Sequence, residues 1–358
     1  MRALLYHAPH DVRLGETAEP RLLDDRDAIV EVEVAGLCGS DLHVWHGRET
    51  GLDAGTVMGH EFAGRVLAAG PLAAWKPGDR VVAPFSTSCG QCFYCREGLT
   101  ARCDRGALFG WVEKGRGLHG GQAERVRVPL ADSTLMPAPA GVPLAVALLL
   151  GDVLSTGWHS AKAAAVRHDR AVAVLGLGPV GLCAVLAALE QRAERVLAFD
   201  TVPERLAFAA SLGAEVHALA GAGPAEVRDR ALAAVRVATE GRGVDAVLEC
   251  VGSPAASRLA FDLARPGGVI SAVGVHHEAA FPFSPVEAYD KNLTYRIGRC
   301  PARAYDVELT PVVAKHASAL AKLVTHRVPL EQGAEMYRLF DEKRDGVLKV
   351  VFEVVASA

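Results

Sequence analysis

Val172-Ala-Val-Leu-Gly176-Leu-Gly178-Pro-Val-Gly181 decides the fold of this chain. The apolar residues predict a buried strand over Ala171–Leu175, and the glycine spacing G-x-G-x-x-G predicts a tight turn that opens a helix. The first glycine permits the turn, and the second lets backbone approach a pyrophosphate. The third lets helix and strand pack closely, with the helix N-terminus facing the anion. Such a motif also occurs in ordinary glycine turns, so its context matters. The next predicted strand, Arg195–Asp200, ends on a carboxylate about 20 residues beyond the turn, where it can hold a ribose 2′-hydroxyl. The competing reading is a plain turn followed by a surface aspartate.

Strands are also predicted over Val244–Cys250 and Val269–Val273, with helices opened by Pro179, Pro203, Pro224 and Pro254, a residue tolerated in a first helical turn. This alternation implies a parallel sheet with helices on both faces. Before Asp152 the character differs: short β-type segments at Ala28–Val34, Glu61–Leu67, Asp79–Val82 and Ala123–Val128 are separated by Gly, Pro and Asp. The tail returns to that character, with a helix expected over Glu331–Glu342 and a strand over Val347–Val354. The Ala-rich stretch Leu219–Ala238 reads as loop followed by helix. A chain of 358 residues suits two domains. The expected division is residues 1–153 with 295–358, and 154–294 between them.

Ala171–Leu189 carries no charge and nearly reaches the length of a membrane span. Gly176, Gly178, Pro179 and Gly181 interrupt it, which favours strand, turn and helix over a span. A net charge of -4 supplies no basic field for nucleic acid or an anionic membrane. The opening Met-Arg-Ala-Leu-Leu-Tyr-His-Ala lacks the apolar run and cleavage site of a signal peptide, so the cytoplasm is the expected location. Eight cysteines in that reducing setting argue against a disulfide framework.

Four of those cysteines are bunched as Cys89-x2-Cys92-x2-Cys95-x7-Cys103. Four thiolates in one loop suffice for a closed tetrahedral zinc with no place for water, hence a structural site. An iron–sulfur cluster is the rival, but the last spacing is seven and no proline follows Cys103. A second set is dispersed: Gly36-Leu-Cys38-Gly-Ser40-Asp-Leu-His43, Gly59-His60-Glu61 and Gly151-Asp152. One thiolate, one imidazole and one carboxylate would neutralise Zn²⁺ and leave a fourth position open. Taken singly, His60 reads equally well as a core histidine and Cys38 as a buried thiol.

Together these motifs, including Gly59-His60-Glu61-Phe-Ala-Gly64, resemble the zinc-containing medium-chain alcohol dehydrogenases, in the family's order and over essentially the whole chain. The resemblance implies an α/β fold: a Rossmann doubly wound parallel sheet domain plus a GroES-like, mainly-β catalytic domain completed by the tail. It implies Cys38, His60 and Asp152 as ligands of a catalytic zinc, the third ligand varying in the family between Cys, Asp and Glu. Glu61 matches a carboxylate near the metal that is a candidate for transient coordination. It implies Ser40 and His43 as a relay for the alcohol proton.

Further positions follow from the same resemblance. Gly176, Gly178, Pro179, Val180 and Gly181 would line the pyrophosphate, Thr156 would contact the nicotinamide, and Arg299 would reach the pyrophosphate. Phe85 and Val275 resemble pocket-lining positions, Val275 on the cofactor side, with Trp45 and Trp111 as further pocket candidates. Core packing is the competing reading of these four. Asp200 repels a 2′-phosphate and Thr201-Val202-Pro203 supplies no arginine beside it, which favours NAD over NADP. Arg205, on the next predicted helix, joins the cofactor set.

The expected protein is an NAD-dependent alcohol or aldehyde oxidoreductase with two Zn²⁺ per chain, homodimeric or homotetrameric as the family resemblance implies. Polyol and formaldehyde-type dehydrogenases are close rivals. A non-catalytic NAD-binding relative is the rival from another class.

Overall fold

Ala171–Leu175 forms a strand buried at every position, and the helix after its glycine turn begins at Pro179. A computed structural model describes residues 1–220 and 223–354. Residues 221–222 of the Ala-rich stretch, and 355–358 of the returning tail, lie outside the described residues. The chain divides into two compact units, Met1–Ser155 with Pro301–Ala358, and Thr156–Cys300.

In the second unit the strands are β1 (Ala171–Leu175), β2 (Arg195–Asp200), β3 (Glu215–Ala218), β4 (Val244–Glu249), β5 (Ala264–Ala272) and β6 (Thr294–Ile297). All pair in parallel, in the order β3-β2-β1-β4-β5-β6. That is the doubly wound order of dinucleotide-binding sheets, with its switch point between β1 and β4. Four prolines open the intervening helices: α1 (Pro179–Glu190), α2 (Pro203–Leu212), α3 (Pro224–Ala238) and α4 (Pro254–Leu263). Leu175, Leu197, Phe199, Val247 and Ile270 share one core.

The edge strands β3 and β6 escaped the sequence reading, because their mostly exposed residues carry no apolar run. β5 begins five residues earlier than expected, running through Arg265-Pro266-Gly267-Gly268. Since β6 runs from Thr294 to Ile297, residue 295 falls inside the sheet. The return to the first unit comes after it, at Pro301, rather than at 295.

In the first unit the strand Ala28–Leu37 pairs antiparallel with Phe62–Ala69, Arg125–Val128 and Lys349–Glu353. The tail therefore completes this sheet, setting Val350 opposite Leu37 at the strand's end. Val30, Val32, Phe62, Val81, Phe352 and Tyr337 lie in its core. The hairpin Arg2–Ala8 with Asp11–Glu16 was not expected, and the helix near residue 331 starts at Gly333. No single helix among the described residues is long and apolar enough to cross a membrane.

Candidate active site

Three chain segments bring the dispersed ligand candidates together within the first unit. The strand Ala28–Leu37 ends immediately before Cys38, and Ser40 precedes the short helix Asp41–Trp45. His60 follows Gly59, whose φ of +88° and contact with Gln122 leave no room for a side chain. Asp152 follows Gly151, where a Cβ would sit 2.2 Å from the Ala83 carbonyl oxygen. Cys38 Sγ lies 3.2 Å from Asp152 Oδ2, and His60 Nε2 lies 3.3 Å from the same oxygen. The three ligand atoms lie within 4.8 Å of one another. Zinc bonds of about 2.0–2.3 Å put tetrahedral ligand atoms roughly 3.3–3.8 Å apart, so this donor set fits a zinc ion. Three protein ligands leave a fourth position open.

The surroundings orient those ligands. Asp41 Oδ1 lies 3.2 Å from His60 Nδ1, and its Oδ2 accepts the Cys38 N–H at 2.9 Å. One buried carboxylate thus fixes two ligands, the usual way a ligating imidazole is aimed. Ser40 Oγ lies 3.2 Å from His60 Nε2, on the ring edge that faces the ligand set. His43 is on the helix Asp41–Trp45.

Glu61, expected near the metal, has a partner of its own in the structure. It is fully buried and its Oε2 is ion-paired with Lys349, so it lies outside the three-atom cluster. Lys349, also fully buried, donates to the Leu37 carbonyl at 3.0 Å as well. Burial opposes its charge, but Glu61 and Cys38 outweigh that and hold the ammonium above its ordinary value. The pair ties the segment before Cys38 to the segment after His60. It also accounts for Gly36, where a Cβ would stand 2.0 Å from Glu61 Oε2.

The four-cysteine loop forms a second cluster, its sulfurs within 4.8 Å of one another and Cys92 and Cys103 at 3.9 Å. Tetrahedral zinc–thiolate sites call for about 3.8 Å. Backbone N–H groups point at the sulfurs: Cys92 at Cys89 Sγ (3.3 Å), and Cys89 and Arg105 at Cys103 Sγ (3.2 and 3.4 Å). Burial opposes charge on Cys89, but the N–H groups of Gln91 and Cys92 outweigh it and draw the thiol down to about 6. Burial and the neighbouring Cys92 push Cys95 up to about 12. Four thiolates cannot share this loop without a cation, and a divalent ion is what the donor set suits.

In the second unit the glycine turn has the geometry its sequence predicts. Gly176 has φ +80°, and a Cβ on Gly181 would lie 1.8 Å from the Gly176 carbonyl oxygen. A Cβ on Gly178 would meet only Arg205 Nη1, at 4.0 Å, so backbone there is open to a ligand. Asp200 is more engaged than a free ribose ligand would be. It accepts N–H groups from Leu177 (2.5 Å), Thr201 (2.7 Å) and Val202 (2.9 Å). Arg205 folds back from α2 to within 4.0 Å of its Oδ2, so an arginine does stand beside this carboxylate.

The remaining candidates separate. Phe85 is buried, its N–H donating to the Gly151 carbonyl at 3.2 Å, next to Asp152. Trp45 packs in the core against His10 and Tyr337, so it serves packing rather than a pocket. Trp111 is half-buried on the hairpin Trp111–Glu113 with Arg116–Leu118. Thr156 is buried on the helix Val153–Ala163. Val275 is exposed in the loop after β5, and Arg299 is exposed after β6. Asp41 and Lys349 were missed as site residues. Asp41 sits inside the quoted Cys38 motif, and Lys349 is a fully buried charge opening an otherwise apolar run, Val350–Phe352, a signal that was available.

Comparisons with known proteins agree with this architecture. Residues 24–140 match the family model described as alcohol dehydrogenase GroES-like domain, and residues 179–304 match the one described as zinc-binding dehydrogenase. The chain is 41% identical to a zinc-type alcohol dehydrogenase B of Aspergillus flavus, over 99% of this chain and 81% of that protein. It is 30% identical to a glutathione-independent formaldehyde dehydrogenase of Pseudomonas aeruginosa, over 95% and 94% of the two chains. Among solved structures, an alcohol dehydrogenase from Thermus sp. ATN1 superposes with a TM-score of 0.92 at 39% identity, covering 99% of this chain and 100% of that one. With both family models, a full-length relative and a matching three-ligand cluster in agreement, the chain belongs to the zinc-dependent medium-chain alcohol dehydrogenase family.

Proposed function

We propose that this enzyme transfers hydride reversibly between a small alcohol, or its aldehyde or ketone, and NAD. The observation that carries the reading is the convergence of Cys38, His60 and Asp152 ligand atoms beside the Ser40 hydroxyl. A zinc ion held by Cys38, His60 and Asp152 would supply Lewis acidity at its open fourth position. A dinucleotide on the Gly176–Gly181 turn would supply the hydride acceptor. Ser40 is set to take the proton that an alcohol loses, and His43, three residues on, to pass it to solvent. Asp41 keeps the His60 ring in the orientation that leaves Nε2 facing Cys38 and Asp152. Phe85 lends an apolar wall beside Asp152. The four-cysteine loop would hold a second, structural zinc.

A panel of short alcohols, polyols and aldehydes, followed by NADH absorbance and paired with a zinc count, tests the reading. Turnover with two zinc ions per chain is expected. A single zinc and no turnover on any member would favour a binding relative that kept the fold. Formaldehyde belongs in the panel because a relative carries that name.

We assign the cofactor as NAD because the Asp200 carboxylate repels a 2′-phosphate, although Arg205 offsets part of that charge. Asp200→Ser should lower the NAD-over-NADP ratio of kcat/KM by roughly tenfold to a hundredfold. It should also lower the melting temperature, because three N–H groups lose an acceptor. A wild-type enzyme that prefers NADP at equal concentration would overturn the assignment. A homodimer or homotetramer in the cytoplasm completes the proposal. The outer strand β6 leaves Ile297 exposed, and Val286 and Tyr289 are exposed on the helix Pro285–Asp290 before it, as suits a surface covered by another copy.

A further inference from the structure

Glu249 ends β4 and is completely buried. Its Oε1 accepts the N–H groups of Val251 and Gly252, both at 2.8 Å, and its Oε2 lies 3.1 Å from His276 Nε2. A buried carboxylate is costly unless its oxygens are paired. Here the pairing comes from two different loops, one after β4 and one after β5. These loops press backbone on backbone: a Cβ on Gly252 would stand 2.2 Å from the Val275 carbonyl oxygen, and one on Gly274 2.1 Å from the Gly252 nitrogen. The loop after β4 also abuts the glycine turn, since a Cβ on Gly176 would stand 2.4 Å from Val251 Cγ2. All of this lies at the carboxyl ends of β1, β4 and β5, beside the switch point where doubly wound sheets take their ligands. Val275, adjacent to His276, keeps 39% of its surface exposed there.

We propose that Glu249 and His276 are a positioning pair that clamps the Val275 loop onto the loop after β4 and so fixes the wall against which the nicotinamide end of the dinucleotide rests. The inference builds on the reading of this unit as a dinucleotide site. The clamp depends on charge. His276 faces Glu249 from β4 and Glu278 from its own loop, 4.0 Å from Nδ1. The Tyr295 phenol of β6, which feels the Glu249 charge, is held protonated by burial and adds no charge of its own. The hydrogen bond with Glu249, against the opposing effect of burial, raises the His276 imidazole above its ordinary value. A raised imidazole gives its full stabilisation below the ordinary histidine range and loses it as pH climbs through the raised value. Affinity for the nicotinamide end should fall over that interval.

NADH binding, followed by fluorescence on the zinc-loaded enzyme from about pH 6 to about pH 9, tests this. Wild type should lose roughly tenfold in affinity across that span, the scale of a hydrogen bond to a charged group. His276→Gln, which keeps a donor without the charge, should hold the wild-type high-pH affinity at every pH. His276→Ala should bind more weakly still and just as flatly. ADP-ribose, which lacks the nicotinamide, should bind all three proteins alike. A wild-type slope retained in His276→Gln overturns the proposal, and so does an equal loss for ADP-ribose, which would mean general damage to the unit. A wild type that binds neither compound would remove the dinucleotide reading itself.

Discussion

Cys38→Ser should abolish alcohol turnover in a protein that melts nearly as wild type does, whereas Cys95→Ser should destabilise the fold. The roles proposed for the two clusters predict different losses. Cys38 sits at the end of a strand whose neighbours, Leu37 and Val350, are already locked in the sheet. Burial, with Asp152 and Glu61 close by, pushes its thiol up, so a cation is needed to make it a thiolate ligand. Serine preserves the volume but weakens the metal, and the loss of Lewis acidity, worth several kcal/mol, should cost roughly a thousandfold or more in kcat. Cys95 belongs to a loop held by only a few residues of helix, Phe93–Arg96 and Thr100–Arg102, with exposed Phe93 and Leu99. Such a loop draws its stability from the ion it folds around. Removing that ion should lower the melting temperature by several degrees, at roughly 2–4 °C per kcal/mol, and bring the zinc count down from two to one. Thermal melts, zinc content and kcat measured on both variants separate the cases. Should Cys95→Ser melt like wild type with full metal, the structural-site assignment collapses.

Where chemistry depends on local backbone sterics or on close spacing, the sequence was readable. Gly176 and Gly181 are dictated by a positive φ and a 1.8 Å approach, and both constraints act within six residues. The four cysteines lie in one loop, so their spacing alone brings the sulfurs together. The dispersed set is another matter. Cys38 and Asp152 are 114 residues apart, and nothing local says that a strand end and the tight turns at Gly59 and Gly151 will deliver Cys38, His60 and Asp152 to one point. Resemblance to a family supplied that pairing; periodicity could not.

What sequence reasoning missed lies chiefly in polar groups whose partners only the fold reveals. Lys349 looks like an odd charge in an apolar strand until the strand pairs with Ala28–Leu37 and meets Glu61. Once paired, it makes Glu61, read as a carboxylate near the metal, half of a buried ion pair, a partnership that no single segment contains. Asp200 was read as a ribose ligand and a charge against a 2′-phosphate, yet the turn it serves also uses it as an acceptor for three N–H groups. Arg205 reaches it because a helix starting at Pro203 brings its first turn back over β2. The edge strands β3 and β6 carry too little apolar character to be seen without their neighbours.

Ser40→Ala should cut alcohol oxidation by roughly 10²–10⁴-fold, the usual worth of a positioned proton transfer. An alcohol loses a proton as it loses hydride, and the site must accept it. Ser40 is the hydroxyl that stands 3.2 Å from His60 Nε2, on the side that faces Cys38 and Asp152. That contact also means the variant could disturb a ligand, so zinc content must be measured beside kcat. Two zinc ions per chain with a collapsed kcat assigns the loss to proton transfer, and Ser40→Thr, which restores the hydroxyl, should recover part of it. His43→Ala should be milder, because water or buffer can replace a group at the solvent end of a relay. Added imidazole should then rescue a fraction of its rate, and should do nothing for Ser40→Ala, whose lost hydroxyl lies at the inner end. A Ser40→Ala enzyme with full metal and undiminished kcat would show that the proton leaves by another route.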